Sequence, residues 1–315
     1  MSALPIVVIG HAALDRVYRI AEFPARPTKV RALEHIEDGG GMAANAAAAI
    51  ARLGVPVELW SRTGDDQAGA RIRALLATGA VDVSYLRAHP GSRSSTSAII
   101  VDSHGERLVV SERDHAMPMD PGWLPLERLG RTAVVLSDVS WIEGTVAAFD
   151  RARSLGVPTM ADADQGSEHV IERLIHLVDY AIFSAAALDL YLPNLSWPER
   201  FDHVLARGVR HVGVTRGPEG YLWRARDGEI RTQPAFVADV VDTTGAGDAF
   251  HGAFAWALRA QCDDATCALI ASAAAALKCR KLGARAGLPT ALELDGYLLD
   301  RTGHGLCRAL AKGGA

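Results

Sequence analysis

Short apolar, strand-like runs alternate with helix-like patterns along most of the chain, and this alternation constrains the fold more than any other feature. The strand-like runs are IVVIG (Ile6 to Gly10), VPVELW, TAVVLSDV, VPTMADA, YAIFS and VRHVGVT, and helical periodicity marks segments between them. Repeated strand–helix–strand units place parallel strands in one sheet with helices on both faces. We therefore predict an α/β protein with a three-layer, doubly wound, mostly parallel sheet.

Two stretches interrupt this rhythm and predict a second, smaller sheet. Ser94 to Val110 (SSTSAIIVDSHGERLVV) is typical of two strands joined at a Ser-His-Gly turn, and Lys29 to Glu37 is another extended, alternating stretch. We expect a small β-sheet lid built from segments of about 16–38 and 94–113. Because no linker, charge block or repeat divides the sequence, residues 1–315 are predicted to form a single domain with this lid.

The composition favours small-molecule chemistry. Of the 315 residues 49% are hydrophobic, and the formal net charge of −4 does not provide the basic surface that nucleic acids or anionic membranes require. The sequence shows no signal-peptide pattern and no long apolar run, and the spacing of its cysteines indicates neither a disulfide framework nor a metal site. These cysteines are Cys262, Cys267, Cys279 and Cys307. We expect a cytoplasmic protein with reduced thiols and with no nucleic-acid or membrane partner.

The segment VVDTTGAGDAFHGAFAWAL runs from an extended pair through three small residues into a helix. Gly245, Ala246 and Gly247 leave backbone amides at the helix N-terminus, where they suit a phosphoryl group in transfer, and Gly247 is expected to adopt backbone angles that valine tolerates poorly. Asp248 in the first turn either stabilises the helix dipole or acts as a general base on an attacking hydroxyl. Because the transition state of phosphoryl transfer is loose, such a base needs to be well positioned more than it needs to be strongly basic.

A second glycine cluster lies near the N-terminus, in GGGMAANAAAAIARLG (Gly39 to Gly54). Its glycines let a polar ligand approach the backbone, and Asn45 offers both a donor and an acceptor to a sugar hydroxyl. Asp15 follows the first strand, where open α/β sheets bind ligands. Taken singly, the glycines are equally typical of a tight turn, Asn45 of an amide that hydrogen-bonds to a neighbouring backbone group, and Asp15 of a helix cap.

Taken together, the two glycine segments resemble the signature motifs of the ribokinase/PfkB carbohydrate kinase family. SRTGDDQAG, VTRGPEGYLW and AAAALKCRKLGARAGLP agree in order and spacing, and the resemblance runs from Ile6 to about Pro289. It implies a ribokinase-like fold and an ATP-dependent carbohydrate kinase that uses Mg²⁺. It also implies a homodimer formed through the β lid.

The resemblance also implies roles for individual residues. Asp248 would be the catalytic base, with Gly245, Ala246 and Gly247 as the anion hole. The sugar-binding positions would be Asp15, Gly40, Gly41 and Asn45. The ATP neighbours would be Thr215, Gly217, Gly220, Ala274 and Gly283. Asp242 and Thr243 match a site at which many relatives hold a monovalent cation such as K⁺.

One departure from the family concerns magnesium. Many relatives carry an N-x-x-E motif after a central strand, whereas the corresponding stretch here, YAIFSAAALDL, contains neither Asn nor Glu. Asp162 and Asp164, at the end of VPTMADAD, either hold a hydrated Mg²⁺ in its place or are solvated strand-end carboxylates.

Within the family, DTTGAGDAFHGA, the lid hairpin and the DVSW strand end are most similar to the sulfofructose kinase branch. Lys29 matches its sulfonate-binding lysine or is a lid-edge surface residue, whereas Ser111 and Ser140 stand where that branch has Asn and Arg. We therefore predict phosphorylation of a primary hydroxyl on a ketose-type sugar, either sulfofructose or a related ketohexose. The alternatives are a nucleoside kinase of the same family and a non-catalytic sugar-binding sensor.

Overall fold

A computed structural model describes residues 4–164 and 168–306, so that Cys307 lies outside the described residues. In chain order the strands are β1 (Ile6–Gly10), β2 (Ala13–Arg19), β3 (Glu34–Gly40), β4 (Val57–Gly64), β5 (Leu86–His89), β6 (Ser95–Val101), β7 (Arg107–Glu112), β8 (Val134–Ser137), β9 (Thr159–Asp162), β10 (Tyr180–Ser184), β11 (His211–Thr215), β12 (Tyr221–Ala225) and β13 (Arg231–Gln233). The α-helices are α1 (Met42–Arg52), α2 (Gln67–Thr78), α3 (Ile142–Ser154), α4 (Glu168–Leu174), α5 (Ala185–Tyr191), α6 (Trp197–Leu205), α7 (Ala246–Arg259), α8 (Asp264–Lys278) and α9 (Ala291–Thr302).

A nine-stranded sheet in the order β13-β12-β11-β10-β9-β8-β1-β4-β5 forms the centre of the molecule. In this sheet order, the seven strands from β11 to β5 pair in parallel. The strands β12 and β13 are added antiparallel at the β11 edge. The chain builds outward from β1 through β4 to β5 and then returns to the other side of β1 at β8. The doubly wound arrangement therefore places its topological switch point between β1 and β8, where such sheets bind ligands.

Both faces of this sheet are covered by helices. Ile6 and Val8 belong to a core cluster that includes residues of α1, α2, α7, α8 and α9, whereas Val7 and Ile9 belong to a cluster with α3, α4, α5 and α6. Successive side chains of a strand point to opposite faces, so a strand buried on both faces must be apolar throughout, as IVVIG is. The predicted three-layer α/β class is confirmed.

The smaller sheet has the order β3-β2-β6-β7. The predicted hairpin is present as the antiparallel pair β6 and β7, and β2 joins β6 in parallel. Two details of the predicted lid are wrong. The strand β2 begins at Ala13, before the expected boundary. The prediction missed this start because β2 closely follows β1 and its mixed sequence ALDRVYR resembled a loop. The strand β3 starts at Glu34 rather than Lys29, since its pairing with β2 sets its extent.

Helices α1 and α7 approach each other closely because small residues line their contact. A Cβ added at Gly252 would lie 2.7 Å from the carbonyl oxygen of Ala46 and 2.9 Å from the Cβ of Ala49. Only glycine fits at this point. Within residues 4–164 and 168–306, no helix has the length and apolar character needed to cross a membrane.

Candidate active site

The close packing of α1 on α7 brings together the two polar residues that the sequence singled out on these helices. Asn45 donates its Nδ2 to Asp248 Oδ2 over 2.8 Å. Asn45 is buried within α1, and Asp248 occupies the first turn of α7. The two glycine motifs therefore meet at a single site.

Arg285, which the sequence analysis did not single out, fixes the orientation of this amide. Its Nε donates to Asn45 Oδ1 over 2.9 Å, and its Nη2 lies 3.4 Å from the carbonyl oxygen of Gly40. Because a guanidinium only donates hydrogen bonds, the Asn45 oxygen must face Arg285 and the Asn45 nitrogen must face Asp248. The signal available in the sequence was the arginine of RAGLP, which lies far from either glycine motif.

Asp248 has an unusual protonation equilibrium for an aspartate. Burial, followed by the nearby charge of Asp162, raises its pKa to about 7, although the hydrogen bond from Asn45 acts in the opposite direction. A carboxyl group with this pKa exchanges its proton near neutral pH, which is the property that a general base requires.

The predicted anion hole lies at the N-terminus of α7. The backbone angles there require a glycine at a different position from the one expected. Gly245 adopts a left-handed φ of 75° and a Cβ there would lie 3.0 Å from Ala284, whereas Gly247 has ordinary helical angles and no atom within 4 Å of an added Cβ. The expectation that Gly247 has angles unfavourable to valine is wrong. The amide of Ala246 donates to Thr243 O over 3.1 Å, so the amides of Gly247 and Asp248 remain as first-turn donors.

A cavity of about 770 Å³ opens beside this helix end. Its wall includes the predicted ATP neighbours Thr215, Gly217 and Gly220 together with the segment from Gly245 to Asp248. Two other predicted neighbours lie elsewhere. Ala274 lies in the core and is 2% exposed, because its helix turns Ser272, Ala275 and Ala276 towards the cavity instead. Gly283 donates its N–H to Asp242 Oδ2.

Asp162 and Asp164 both line this cavity. Asp162 is fully buried, and burial followed by the charges of Asp164 and Asp138 raises its pKa well above the ordinary value. His251 Nδ1 lies 3.3 Å from Asp162. A divalent cation would relieve the repulsion among these carboxylates, and carboxylate oxygens are suitable ligands for a largely hydrated Mg²⁺. The two aspartates therefore fit the magnesium role predicted for them.

Two further predicted sugar-binding residues, Asp15 and Gly40, are linked to the Asn45–Asp248 pair by Arg285, which contacts Gly40 and whose charge acts on Asp15. Asp15 is buried on β2, and burial raises its pKa to about 6 against the opposing effects of the Ser97 hydroxyl and Arg285. A Cβ at Gly40 would lie 2.2 Å from the Asp15 carboxylate. Gly41 has a φ of 88°, and a Cβ there would lie 2.4 Å from His11 O, so neither position accepts a larger residue.

The three positions associated with a sulfonate lie in different surroundings. Lys29 and Ser111 are exposed, Ser111 on the strand β7. Ser140 donates its hydroxyl to Asp138 Oδ1 over 2.5 Å. Asp138, a further residue that the sequence analysis missed, sits at the switch point and accepts the amide of Ala43 over 2.9 Å. Its signal was its place near the end of the predicted strand run TAVVLSDV.

Asp242 and Thr243, the candidate ligands of a monovalent cation, are already bonded to protein donors. The Asp242 carbonyl accepts from Lys278 Nζ over 2.7 Å, and the Thr243 hydroxyl accepts from Arg107 Nη1. Arg107 belongs to the lid strand β7 and also lines the cavity. This contact connects the small sheet to the nucleotide side of the site.

Comparison with known proteins places these features in one family. Residues 4–291 match the model of the pfkB family of carbohydrate kinases. The chain is 28% identical over 296 residues to ribokinase from Bacillus subtilis (strain 168), covering 93% of this chain and 99% of that protein. It is 28% identical over 281 residues to fructokinase from Vibrio alginolyticus, covering 81% of this chain and 90% of that protein.

A crystal structure from Agrobacterium tumefaciens, provisionally described as that of a ribokinase, superposes with a TM-score of 0.91 at 33% identity. The match covers 95% of this chain and 98% of that one. The predicted ribokinase-like arrangement of a large, mostly parallel sheet with a separate small sheet is thereby confirmed. This chain belongs to the pfkB family and is an ATP-dependent carbohydrate kinase.

Proposed function

We propose that this kinase transfers the γ-phosphoryl group of ATP to a primary hydroxyl of a ketose-type sugar, with Asp248 as the general base. The position of Asp248 carries the proposal. It lies on the wall of the nucleotide cavity, at the N-terminus of α7, and it is hydrogen-bonded to Asn45 of the first glycine motif. A hydroxyl held beside Asn45 would therefore lie between the base and the γ-phosphate.

The reaction follows from this placement. Asp248 accepts the hydroxyl proton as the sugar oxygen bonds to the γ-phosphorus, and the bond from that phosphorus to the bridging oxygen of ADP breaks. The first-turn amides of Gly247 and Asp248, with the positive end of the α7 dipole, stabilise charge on the phosphoryl oxygens. Asn45 and Arg285 hold the base in place throughout.

Asp162 and Asp164 would hold Mg²⁺ on the cavity wall. Bound there with ATP, the ion neutralises charge on the phosphate oxygens. Asp162 lies close enough to Asp248 to raise the pKa of that carboxyl. Neutralising Asp162 would therefore lower the pKa of Asp248 and favour its basic form at neutral pH.

Polar groups suited to a sugar converge next to Asp248. The Asp15 carboxylate can accept hydroxyl hydrogen bonds, and Gly40 and Gly41 bring backbone close to a ligand. The fructokinase relative supports a ketose. We propose a ketohexose-type substrate, with any sulfonate group held less tightly than in sulfofructose kinases, since Lys29 and Ser111 are exposed and Ser140 already bonds to Asp138.

A homodimer through the lid is the proposed assembly. All six residues of β7, at the edge of the small sheet, are exposed, including Leu108, Val109 and Val110. An exposed apolar edge strand is a ready surface for pairing with a second copy. Light scattering after size-exclusion chromatography should give twice the monomer mass, and Val109→Lys should give the monomer mass.

An ADP-release assay with a panel of acceptors tests the proposed reaction. The panel contains fructose, other neutral ketohexoses, sulfofructose, ribose, adenosine and inosine, with a no-acceptor control. The proposal predicts the highest kcat/KM with a ketohexose and a phosphorus NMR signal from a primary phosphate ester. A nucleoside or ribose as the best acceptor would contradict the ketose assignment, and absence of acceptor-dependent ADP would contradict the proposed catalytic role.

A further inference from the structure

A lysine lies buried beside the segment that leads to the anion hole. Lys278, the last residue of α8, is 0% exposed, although burying an ammonium removes it from water at a large cost. Its Nζ donates to the Asp242 carbonyl over 2.7 Å, and Asp242 is also 0% exposed. A buried charge of this kind requires a partner, and Asp242 begins the segment that leads to the anion hole.

Asp242 joins two loops around this ammonium. Its Oδ1 accepts the amide of Thr244 and its Oδ2 accepts the amide of Gly283, each over 2.8 Å. Burial tends to raise the pKa of Asp242, but the charge of Lys278 and these amide donors hold that pKa below its ordinary value. The carboxylate therefore remains ionised. Burial lowers the pKa of Lys278 and the charge of Asp242 opposes that shift, so the carboxylate stabilises the ammonium beside it.

These contacts conflict with a bound monovalent cation. Such an ion needs carbonyl, hydroxyl and carboxylate oxygens as ligands. Here the Asp242 carbonyl accepts from Lys278, both oxygens of its carboxylate accept from amides, and the Thr243 hydroxyl accepts from Arg107. The Lys278 ammonium and the Arg107 guanidinium, both positively charged, therefore stand at oxygens that K⁺ would need. The residues present do not fit K⁺.

We propose that the Lys278 ammonium is a built-in cation that takes the place of an exogenous one: it holds the Asp242 carbonyl, balances its carboxylate and so orders the loop from Asp242 to Gly247. Lys278 is a positioning residue, acting on the phosphoryl group through that loop. The inference rests on the anion-hole role proposed for α7. Its consequence is an enzyme whose turnover does not depend on K⁺.

Replacing the ammonium and then supplying a free cation tests this inference. Turnover of the wild-type enzyme with its best acceptor should be the same in KCl and in tetramethylammonium chloride of equal ionic strength. Lys278→Ala should lower kcat by about tenfold to a hundredfold, less than the loss of an anion-hole donor itself, because Lys278 acts through the loop. K⁺ or NH₄⁺ should restore part of kcat by entering the vacated space. Lys278→Met, which fills that space, should be equally slow and should not recover.

Thermal unfolding gives a readout that needs no sugar, so that failure of the inference can be told from failure of the proposed reaction. K⁺ should raise the melting temperature of Lys278→Ala and leave that of the wild type unchanged. The control is Arg200→Met, because Arg200 is a buried cation that donates to Leu192 O over 3.0 Å away from the site. It should lose stability without any response of kcat to K⁺.

Two results would overturn the inference. One is a severalfold activation of the wild type by K⁺ at constant ionic strength, which remains decisive even if Lys278→Ala does not fold. The other is a Lys278→Met enzyme with wild-type kcat.

Discussion

Asn45 and Asp248 are joined by a 2.8 Å hydrogen bond although 203 positions separate them in the sequence. The bond favours the ionised form of Asp248, whereas burial and the charge of Asp162 disfavour it, and the resulting pKa is about 7. The base is therefore set by residues from three elements, α1, β9 and α7. Each of these influences can be tested separately.

The pKa of Asp248 predicts the pH dependence of catalysis. Because the carboxylate is the active form, kcat/KM should fall about tenfold per pH unit below the pKa of Asp248 and should level off above it. That pKa is about 7 without a metal, and Mg²⁺ bound at Asp162 would move the inflection to lower pH. Asn45→Ala removes a hydrogen bond to the ionised form, so the inflection should move to higher pH. A profile with no acidic limb would exclude Asp248 as the titrating base.

Arg285 predicts an effect on the base through an intermediary. Arg285→Met leaves Asn45 Oδ1 without its donor and removes a positive charge near Asp248. We expect kcat to fall by about tenfold or more and the inflection of the pH profile to rise, which loss of stability alone would not produce. Arg280→Met, at an exposed arginine nearby, serves as the control. An unchanged pH profile in Arg285→Met would refute this positioning role.

Two neighbouring glycines predict opposite results. Gly245→Ala introduces a side chain at a φ of 75° and should destabilise the fold by about 1 to 2 kcal/mol. Gly247→Ala meets no atom within 4 Å, so the melting temperature should hold or rise while the methyl group hinders the phosphoryl path and lowers kcat. Wild-type turnover in Gly247→Ala would show that phosphate does not pass there.

The sulfonate subsite predicts a limited preference for an acidic sugar. Ser111 and Ser140 stand in place of larger side chains that would each donate a hydrogen bond to the sulfonate. Each such charge-assisted bond is worth about 1.5 to 3 kcal/mol. Without them, kcat/KM for sulfofructose should exceed that for fructose by less than about a thousandfold. A larger ratio would mean that another cation, such as Arg113 or Arg31, recognises the sulfonate. Lys29→Ala would then show whether Lys29 contributes, since a role requires that ratio to fall.

Sequence patterns predicted the layers of the fold because buried parallel strands and amphipathic helices have distinct periodicities. They did not predict β2, whose seven residues mix apolar and charged side chains and are held as a strand by pairing with β3 and β6. The motifs placed Asp248 and Asn45 at one site. Arg285 and Lys278 escaped prediction because their roles arise from tertiary contacts with Asn45 and Asp242.

Single-turnover kinetics of Asp248→Asn, with saturating ATP and the best sugar acceptor, test the central claim most directly. The folded-state pKa of Asp248, about 7, exceeds the ordinary value of 3.8. The stability that the protonated carboxyl contributes is therefore lost as the pH rises from 3.8 to about 7. The neutral amide of the variant keeps that stability, so the variant should be more stable than wild type at pH above about 7. The variant should therefore remain folded, and we expect its ATP affinity to be largely unchanged. With Asp150→Asn, at an exposed position of α3, as the control, we predict phosphoryl transfer slower by about 10²-fold or more. A rate within about threefold of wild type would contradict the assignment of Asp248 as the base.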